Sequence, residues 1–138
     1  MGSVGHWDAV YASKATDEVS WFQRDPAVSL RLLAAAPGAL VDVGAGASVL
    51  ADRLLAAGRT DLTLLDLSAS ALDVTRERLG TRAGGVTFVV GDVCAWEPGR
   101  RFDCWHDRAV FHFLTGLEQR EAYVQRATAV INPGGGLV

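Results

Sequence analysis

Apolar residues along the chain alternate between two spacings, short continuous runs and longer stretches with helical periodicity. The continuous runs are Ala39 to Val43, Leu62 to Leu67, Val86 to Val90, Phe102 to His106 and Gly135 to Val138. Each is short and nearly uniformly apolar, the pattern of a strand covered on both faces. Between them lie helical stretches with their own punctuation. Asp25-Pro26 supplies an N-cap and a first helical position, followed by Leu30, Leu33 and Ala34 at helical spacing until Pro37-Gly38. Ser48 is placed to cap a helix whose Val49, Leu50, Leu54 and Leu55 face the sheet, with Gly58 at its end. A third helix opens at Ser68 or Ser70 and runs through Leu72 to Leu79, with Gly80 as C-cap. A fourth starts from a capping box, Thr115-Gly116-Leu117-Glu118, and carries Tyr123, Val124, Ala127 and Ile131 on one face. Strands alternating with helices imply an α/β fold with a mostly parallel sheet and right-handed crossovers, a Rossmann-like three-layer α/β/α arrangement.

The junction between the first strand and the second helix carries the chemistry. Val41-Asp42-Val43-Gly44-Ala45-Gly46-Ala47-Ser48 ends a strand in a G-x-G turn, and Asp66 closes the next apolar run. Glycine at both positions lets bare backbone approach a ligand and adopt positive φ. An acidic residue about 20 positions further on falls where the second strand of such a unit ends, and a carboxylate there accepts both hydroxyls of a ribose. The expected ligand is therefore a nucleoside derivative. A dinucleotide is disfavoured, because the third glycine that packs helix on strand beside a pyrophosphate is replaced in this register by Val49. Asp42, two residues before the first glycine, would repel a diphosphate and attract an ammonium or sulfonium group. A cationic amino acid joined to a nucleoside describes S-adenosylmethionine.

On these residues the sequence resembles the class I S-adenosylmethionine-dependent methyltransferases along nearly its whole length. Val41 to Gly46 matches the family's first motif and Leu64-Leu65-Asp66-Leu67-Ser68 the second. Gly91-Asp92-Val93 matches the adenine-binding turn after the third strand, and Asn132-Pro133-Gly134-Gly135-Gly136 the turn into the fifth. Within the family the chain is similar to small methyltransferases such as thiopurine methyltransferase, and to some protein-lysine methyltransferases. That similarity rests on His6-Trp7-Asp8 with Tyr11, on Ser20-Trp21-Phe22, and on Trp105-His106-Asp107-Arg108-Ala109-Val110.

The resemblance implies the strand order 3-2-1-4-5, S-adenosylmethionine as cofactor, and a small-molecule acceptor offering a thiol, amine or carboxylate. It implies cofactor contacts from Asp42, Gly44, Ala45, Gly46, Asp66, Leu67, Asp92, Val93 and His106. Trp7 and Trp21 join them from an aromatic segment folded over the cofactor, so residues 1–38 are expected to form a helical cap and residues 39–138 the binding core. Arg108 is expected beside the acceptor, where it would stabilise an anion, with Asp107 and His112 as proton acceptors for an amine. Two of these acids have ordinary structural uses as well, Asp66 at a helix N-terminus and Asp92 in a turn.

Composition narrows the partners. With 138 residues, 49% of them hydrophobic and 21% charged, the chain reads as one globular domain. A formal charge of -3 with no basic cluster beyond Arg100-Arg101 argues against nucleic acid. So does the lack of an Asn/Asp-Pro-Pro-aromatic signature. Long apolar stretches are broken by Arg31, Asp42 or Arg53, so neither a membrane span nor a signal peptide is expected, and a cytoplasmic location is. Cys94 and Cys104 lack metal-ligand spacing and are expected to be reduced and buried, with no structural metal. Class I enzymes add two further strands that this sequence lacks, so strand five is expected to be an exposed edge that favours a homodimer. The competing readings are a non-catalytic binding or interaction module and a protein-lysine methyltransferase. A nicotinamide-dependent oxidoreductase ranks last because of Val49.

Overall fold

The structure is a computed structural model and describes residues 27–107 and 110–138. In chain order the elements are α1 (Ala27–Ala34), β1 (Leu40–Val43), α2 (Leu50–Ala56), β2 (Leu62–Asp66), α3 (Ala69–Leu79), β3 (Val86–Val90), β4 (Phe102–Asp107), α4 (Val110–Phe113), α5 (Leu117–Val130) and β5 (Ile131–Leu137). The five strands form one sheet in the order β3-β2-β1-β4-β5, and every strand pair is parallel. This is the Rossmann-like arrangement that alternation and resemblance predicted. The expected cap over residues 1–38 lies largely outside the described residues.

Strand alternation divides the core into two layers. Leu40, Leu62, Leu64 and Cys104 point to one face, where Leu33 of α1, Leu50 and Leu54 of α2, and Leu72 and Leu79 of α3 cover them. Val41, Val43, Leu65 and Trp105 point to the other, against Tyr123, Ala127 and Val130 of α5. Full burial of each large apolar side chain contributes about 1.5–3 kcal/mol, so the two layers hold the sheet from both sides.

Element boundaries differ from the sequence reading in informative places. Ser68 caps α3 by accepting from Ala71 N–H, and Gly80 ends it at φ +59°, as expected. The α5 helix starts at Leu117 with Gly116 as N-cap, and the Gln119 side chain accepts from Gly116 N–H at 3.4 Å, so the Thr115 and Glu118 capping box does not form. Its buried face is Tyr123, Ala127 and Val130, whereas Val124 is exposed and Ile131 already belongs to β5. That strand therefore begins at Ile131, four residues before the glycine where the pattern suggested, because Ile131 pairs with Phe102 at the start of β4. In α2 the buried side is Leu50, Ala51 and Leu54; Val49 precedes the helix, and Ser48 Oγ accepts from Leu50 N–H at 3.2 Å.

Two polar side chains fix where β1 joins the sheet. The Arg59 guanidinium donates to the carbonyls of Leu33, Ala36 and Gly38 at 3.2, 2.6 and 3.1 Å, satisfying the open C-terminus of α1. Asp103 accepts from Ala39 N–H and from the Asn132 amide, both at 2.9 Å, which ties the starts of β1 and β5 to β4. Gly38 has φ +103°, and a Cβ there would lie 2.3 Å from Asp103 Oδ2.

The Ala39 and Asn132 donors hold the Asp103 carboxyl below its ordinary pKa. A depressed folded-state pKa stabilises fully above the unfolded value of about 3.9 and is lost as pH falls through the folded one. Asp103→Asn is expected to lower the urea midpoint at pH 7 and to flatten the acid limb of the stability curve below about pH 4. An acid limb identical in the two proteins would remove Asp103 from this role.

Candidate functional site

Because all strands are parallel, β1, β2, β3 and β4 end at one edge of the sheet, and the candidate residues sit there. Gly44 and Gly46 adopt φ +73° and +52°, in the left-handed region that glycine enters without steric cost. Gly44 N–H and Ala45 N–H both donate to the Leu65 carbonyl, at 2.7 and 3.1 Å. Gly46 N–H donates to Asp66 Oδ2 at 2.8 Å, and the other carboxylate oxygen accepts from Ser68 N–H at 2.8 Å. The glycine turn is thus stitched to the end of β2, and Leu67, the next residue along the chain from Asp66, is half-buried. Gly44 is also required by packing, since a Cβ there would lie 2.1 Å from Val110 Cγ2 at the start of α4.

Sequence reasoning missed the two side chains that hold the far side of this turn. Thr75 Oγ1 donates to the Gly46 carbonyl at 3.0 Å and is buried. Arg78 donates to the carbonyls of Ala47 and Ser48 at 3.1 and 2.8 Å and grips Asp52 of α2 through Nε and Nη2 at 2.9–3.1 Å. The only sequence signal was their spacing of three on one helix, which places both on one face of α3.

After β3, Gly91 N–H donates to the Asp66 carbonyl at 2.9 Å, bringing that turn beside the second acidic position. Asp92 is exposed, and its Oδ1 accepts from Cys94 N–H at 2.9 Å, which starts the short 3-10 turn Val93–Ala95. The Val93 side chain packs in the α5 layer. Burial pushes both thiols above their ordinary pKa, with the neighbouring Asp92 adding to the effect at Cys94. Among the described residues no His, Cys, Asp and Glu side chains cluster in a way that could hold a metal ion. No helix among them is long and apolar enough to cross a membrane.

The end of β4 carries two polar networks on opposite faces. On one, Asp42 Oδ1 meets His106 Nδ1 at 2.8 Å, and His106 Nε2 meets Ser29 Oγ of α1 at 2.9 Å. Asp42 and His106 are both 4% exposed, neighbours across the β1–β4 pairing. His106, expected as a cofactor contact, has ring nitrogens that meet Asp42 and Ser29 and so bridges β1 to α1. On the other face, Trp105 Nε1–H donates to the Tyr123 hydroxyl at 2.9 Å, and that hydroxyl donates to Asp107. Asp107 also accepts from Val110 N–H and Phe111 N–H at 2.7 and 3.0 Å. Asp107, expected as a proton acceptor, has a carboxylate that caps α4 and accepts from Tyr123. Burial, reinforced by Asp107, pushes the Tyr123 hydroxyl well above its ordinary pKa and keeps it a neutral donor.

Trp7, Trp21 and Arg108 lie outside the described residues, as does the His112 side chain, although His112 itself falls within α4. Tyr123→Phe would leave the fully buried Trp105 N–H without its acceptor and is expected to cost about 1–3 kcal/mol. Urea unfolding would show this as a lower midpoint with unchanged slope, and an unshifted midpoint would deny the network its weight.

Comparison with known proteins gives this geometry its relatives. The chain is 35% identical over 103 residues to a ubiquinone/menaquinone biosynthesis C-methyltransferase, UbiE, of Methylobacterium nodulans, covering 72% of this chain and 40% of that protein. A structure solved in work on the conversion of a disulfide bond into a thioacetal group during echinomycin biosynthesis superposes with a TM-score of 0.74 at 28% identity, over 97% of this chain and 60% of its own. The glycopeptide N-methyltransferase MtfA, in complex with S-adenosylhomocysteine, superposes with a TM-score of 0.70 at 25% identity, over 96% of this chain and 59% of its own. The chain thus spans less than two thirds of the length of each of these relatives. The sequence profile of the methyltransferase domain matches residues 40–135, from the first residue of β1 into β5, and the chain therefore belongs to the methyltransferase domain family.

Proposed function

We propose that this domain binds S-adenosylmethionine across the carboxyl edge of its sheet and transfers the methyl group to a small-molecule acceptor. The observation that carries the reading is the joining of the glycine turn to Asp66 through the 2.8 Å bond from Gly46 N–H. It places bare backbone and a fixed carboxylate acceptor side by side, the combination of groups that an amino acid joined to a nucleoside requires. Asp66 takes the ribose hydroxyls, and the turn of Gly44, Ala45 and Gly46 takes the amino-acid end. Leu67 lines the site, and Asp92 with the backbone of Val93 meets the adenine. The complex of MtfA with S-adenosylhomocysteine supports this choice of ligand.

The cofactor supplies an activated methyl group on a sulfonium, whose leaving sulfur departs neutral. The protein's task is then to align the acceptor, exclude water and manage one proton or one negative charge. Arg108, directly after β4 in sequence, has the proposed role of stabilising an anionic acceptor, and the Asp42 and His106 pair ties β1 to β4 below the turn-bearing ends of the strands. For Trp7 and Trp21 the proposed role is a cation–π contact with the sulfonium, which contributes about 0.5–2 kcal/mol. The relatives carry names for C- and N-methylation, so family membership leaves the acceptor atom open.

Calorimetric titration with S-adenosylhomocysteine, with NADH as control, tests the cofactor. Saturable binding of the first alone is the expected result; tighter binding of NADH would overturn the reading. Asp66→Ala is expected to weaken S-adenosylhomocysteine by about 1–3 kcal/mol, roughly a 5- to 150-fold rise in Kd. Equal affinity in the variant would show that Asp66 holds no part of the ligand. Arg108→Ala is expected to lower turnover while sparing cofactor affinity, and loss of that affinity would move Arg108 to the cofactor side.

A further inference from the structure

The three successive carbonyls of Gly46, Ala47 and Ser48 are all held by side chains of α3, the first by Thr75 and the others by Arg78. A trans peptide is planar, with its N–H directed opposite to its C=O. Fixing these three carbonyls toward α3 therefore turns the amides of Ala47, Ser48 and Val49 away from it. Ser48 N–H is used inside the turn, donating to Ala45 O at 3.2 Å. The Ala47 and Val49 amides are the ones so aimed.

The orientation has a consequence for a ligand that ends in a carboxylate. A turn peptide flipped by half a rotation would present a carbonyl oxygen to that carboxylate and repel it, whereas the observed orientation presents donors. A flip of the Gly46–Ala47 peptide turns ψ of Gly46, which glycine tolerates, and leaves the bond from Gly46 N–H to Asp66 in place. Thr75 holds that carbonyl and Arg78 the next two in the observed orientation. Arg78 is fixed in turn by its two-pronged grip on Asp52, a planar match that a lysine would make only as a point charge.

We propose that Thr75 and Arg78 are positioning residues for the amino-acid end of the cofactor: they hold the turn's amides toward the ligand carboxylate without touching the ligand. This rests on the cofactor reading above. It distinguishes the two ends of the ligand, since the nucleoside end is held by Asp66 and the turn after β3 and does not depend on the orientation of the turn.

The test compares two probes on the full chain, S-adenosylhomocysteine and 5′-methylthioadenosine, which keeps the nucleoside and lacks the amino-acid end. Calorimetric titrations are run on the parent chain, Thr75→Val, Thr75→Ser and Arg78→Lys, with thermal melts to set a temperature at which all are folded. Thr75→Val and Arg78→Lys are each expected to weaken S-adenosylhomocysteine about three- to tenfold, the loss of one net hydrogen bond, and to leave 5′-methylthioadenosine within about twofold. Thr75→Ser, which keeps the hydroxyl, is expected to retain parent affinity for both. Equal losses for the two probes would make the clamp merely structural and overturn the proposal. Unchanged affinity for S-adenosylhomocysteine in both weakened variants would overturn it as well, with the cofactor reading intact. A parent chain that binds no S-adenosylhomocysteine would instead defeat the cofactor reading, and this inference with it.

Discussion

The Asp66 carboxylate accepts from Gly46 N–H on one oxygen and from Ser68 N–H on the other, and the rest of the site takes its geometry from that pair of bonds. Hydrogen bonds to a charged group are roughly twice as strong as neutral ones, so the carboxylate is a firm anchor. Its own position comes from the sheet, because β2 is paired on both sides, Leu65 with Val43 and Asp66 with Val90. Ser68, once placed, caps α3 through Ala71 N–H. That sets the rotation of α3 and with it the reach of Thr75 and Arg78 to the carbonyls of the turn. One acidic side chain thereby fixes the turn from its amide side directly and from its carbonyl side through a helix.

The period of two along β4 produces the second level of organisation. His106 faces the α1 and α2 layer and joins Asp42 to Ser29, while Trp105 and Asp107 face the α5 layer and share Tyr123. Buried polar groups are costly when unpaired and stiff when paired, so each network locks a helix to the sheet at a set height. The strand is thus both a core element and the place where α1 and α5 are registered against the candidate site.

Much of this was legible in the sequence where a single local rule decided it. The five strands, the glycine turn and Asp66 follow from short-range periodicity and one spacing, and the structure reproduces them. The sequence was silent where a residue's role depends on a partner far along the chain. Thr75 and Arg78 read as ordinary helix surface until α3 is laid against a turn 29 to 31 residues earlier. Ile131 fits either a helix face or a strand, and only its pairing with Phe102 decides. Strand alternation delivers Asp107 and His106 to opposite layers, where their hydrogen bonds run to Tyr123, Asp42 and Ser29, partners that the sequence does not reveal.

The contact between Gly44 and Val110 joins the two halves of the edge. With room for no more than a hydrogen on Gly44, the first turn of α4 sits directly on the strand-to-helix turn. Asp107 caps that same first turn, and its carboxylate is held from α5 by Tyr123. A shift of α4 would therefore have to open the Asp107 cap, pull on Tyr123 or press into Gly44, and interiors packed at near-crystalline density resist all three. The first turn of α4 and the turn that follows β1 are thereby coupled through packing. For the methyl transfer proposed above, such coupling would let the sheet set the distance between acceptor and methyl donor.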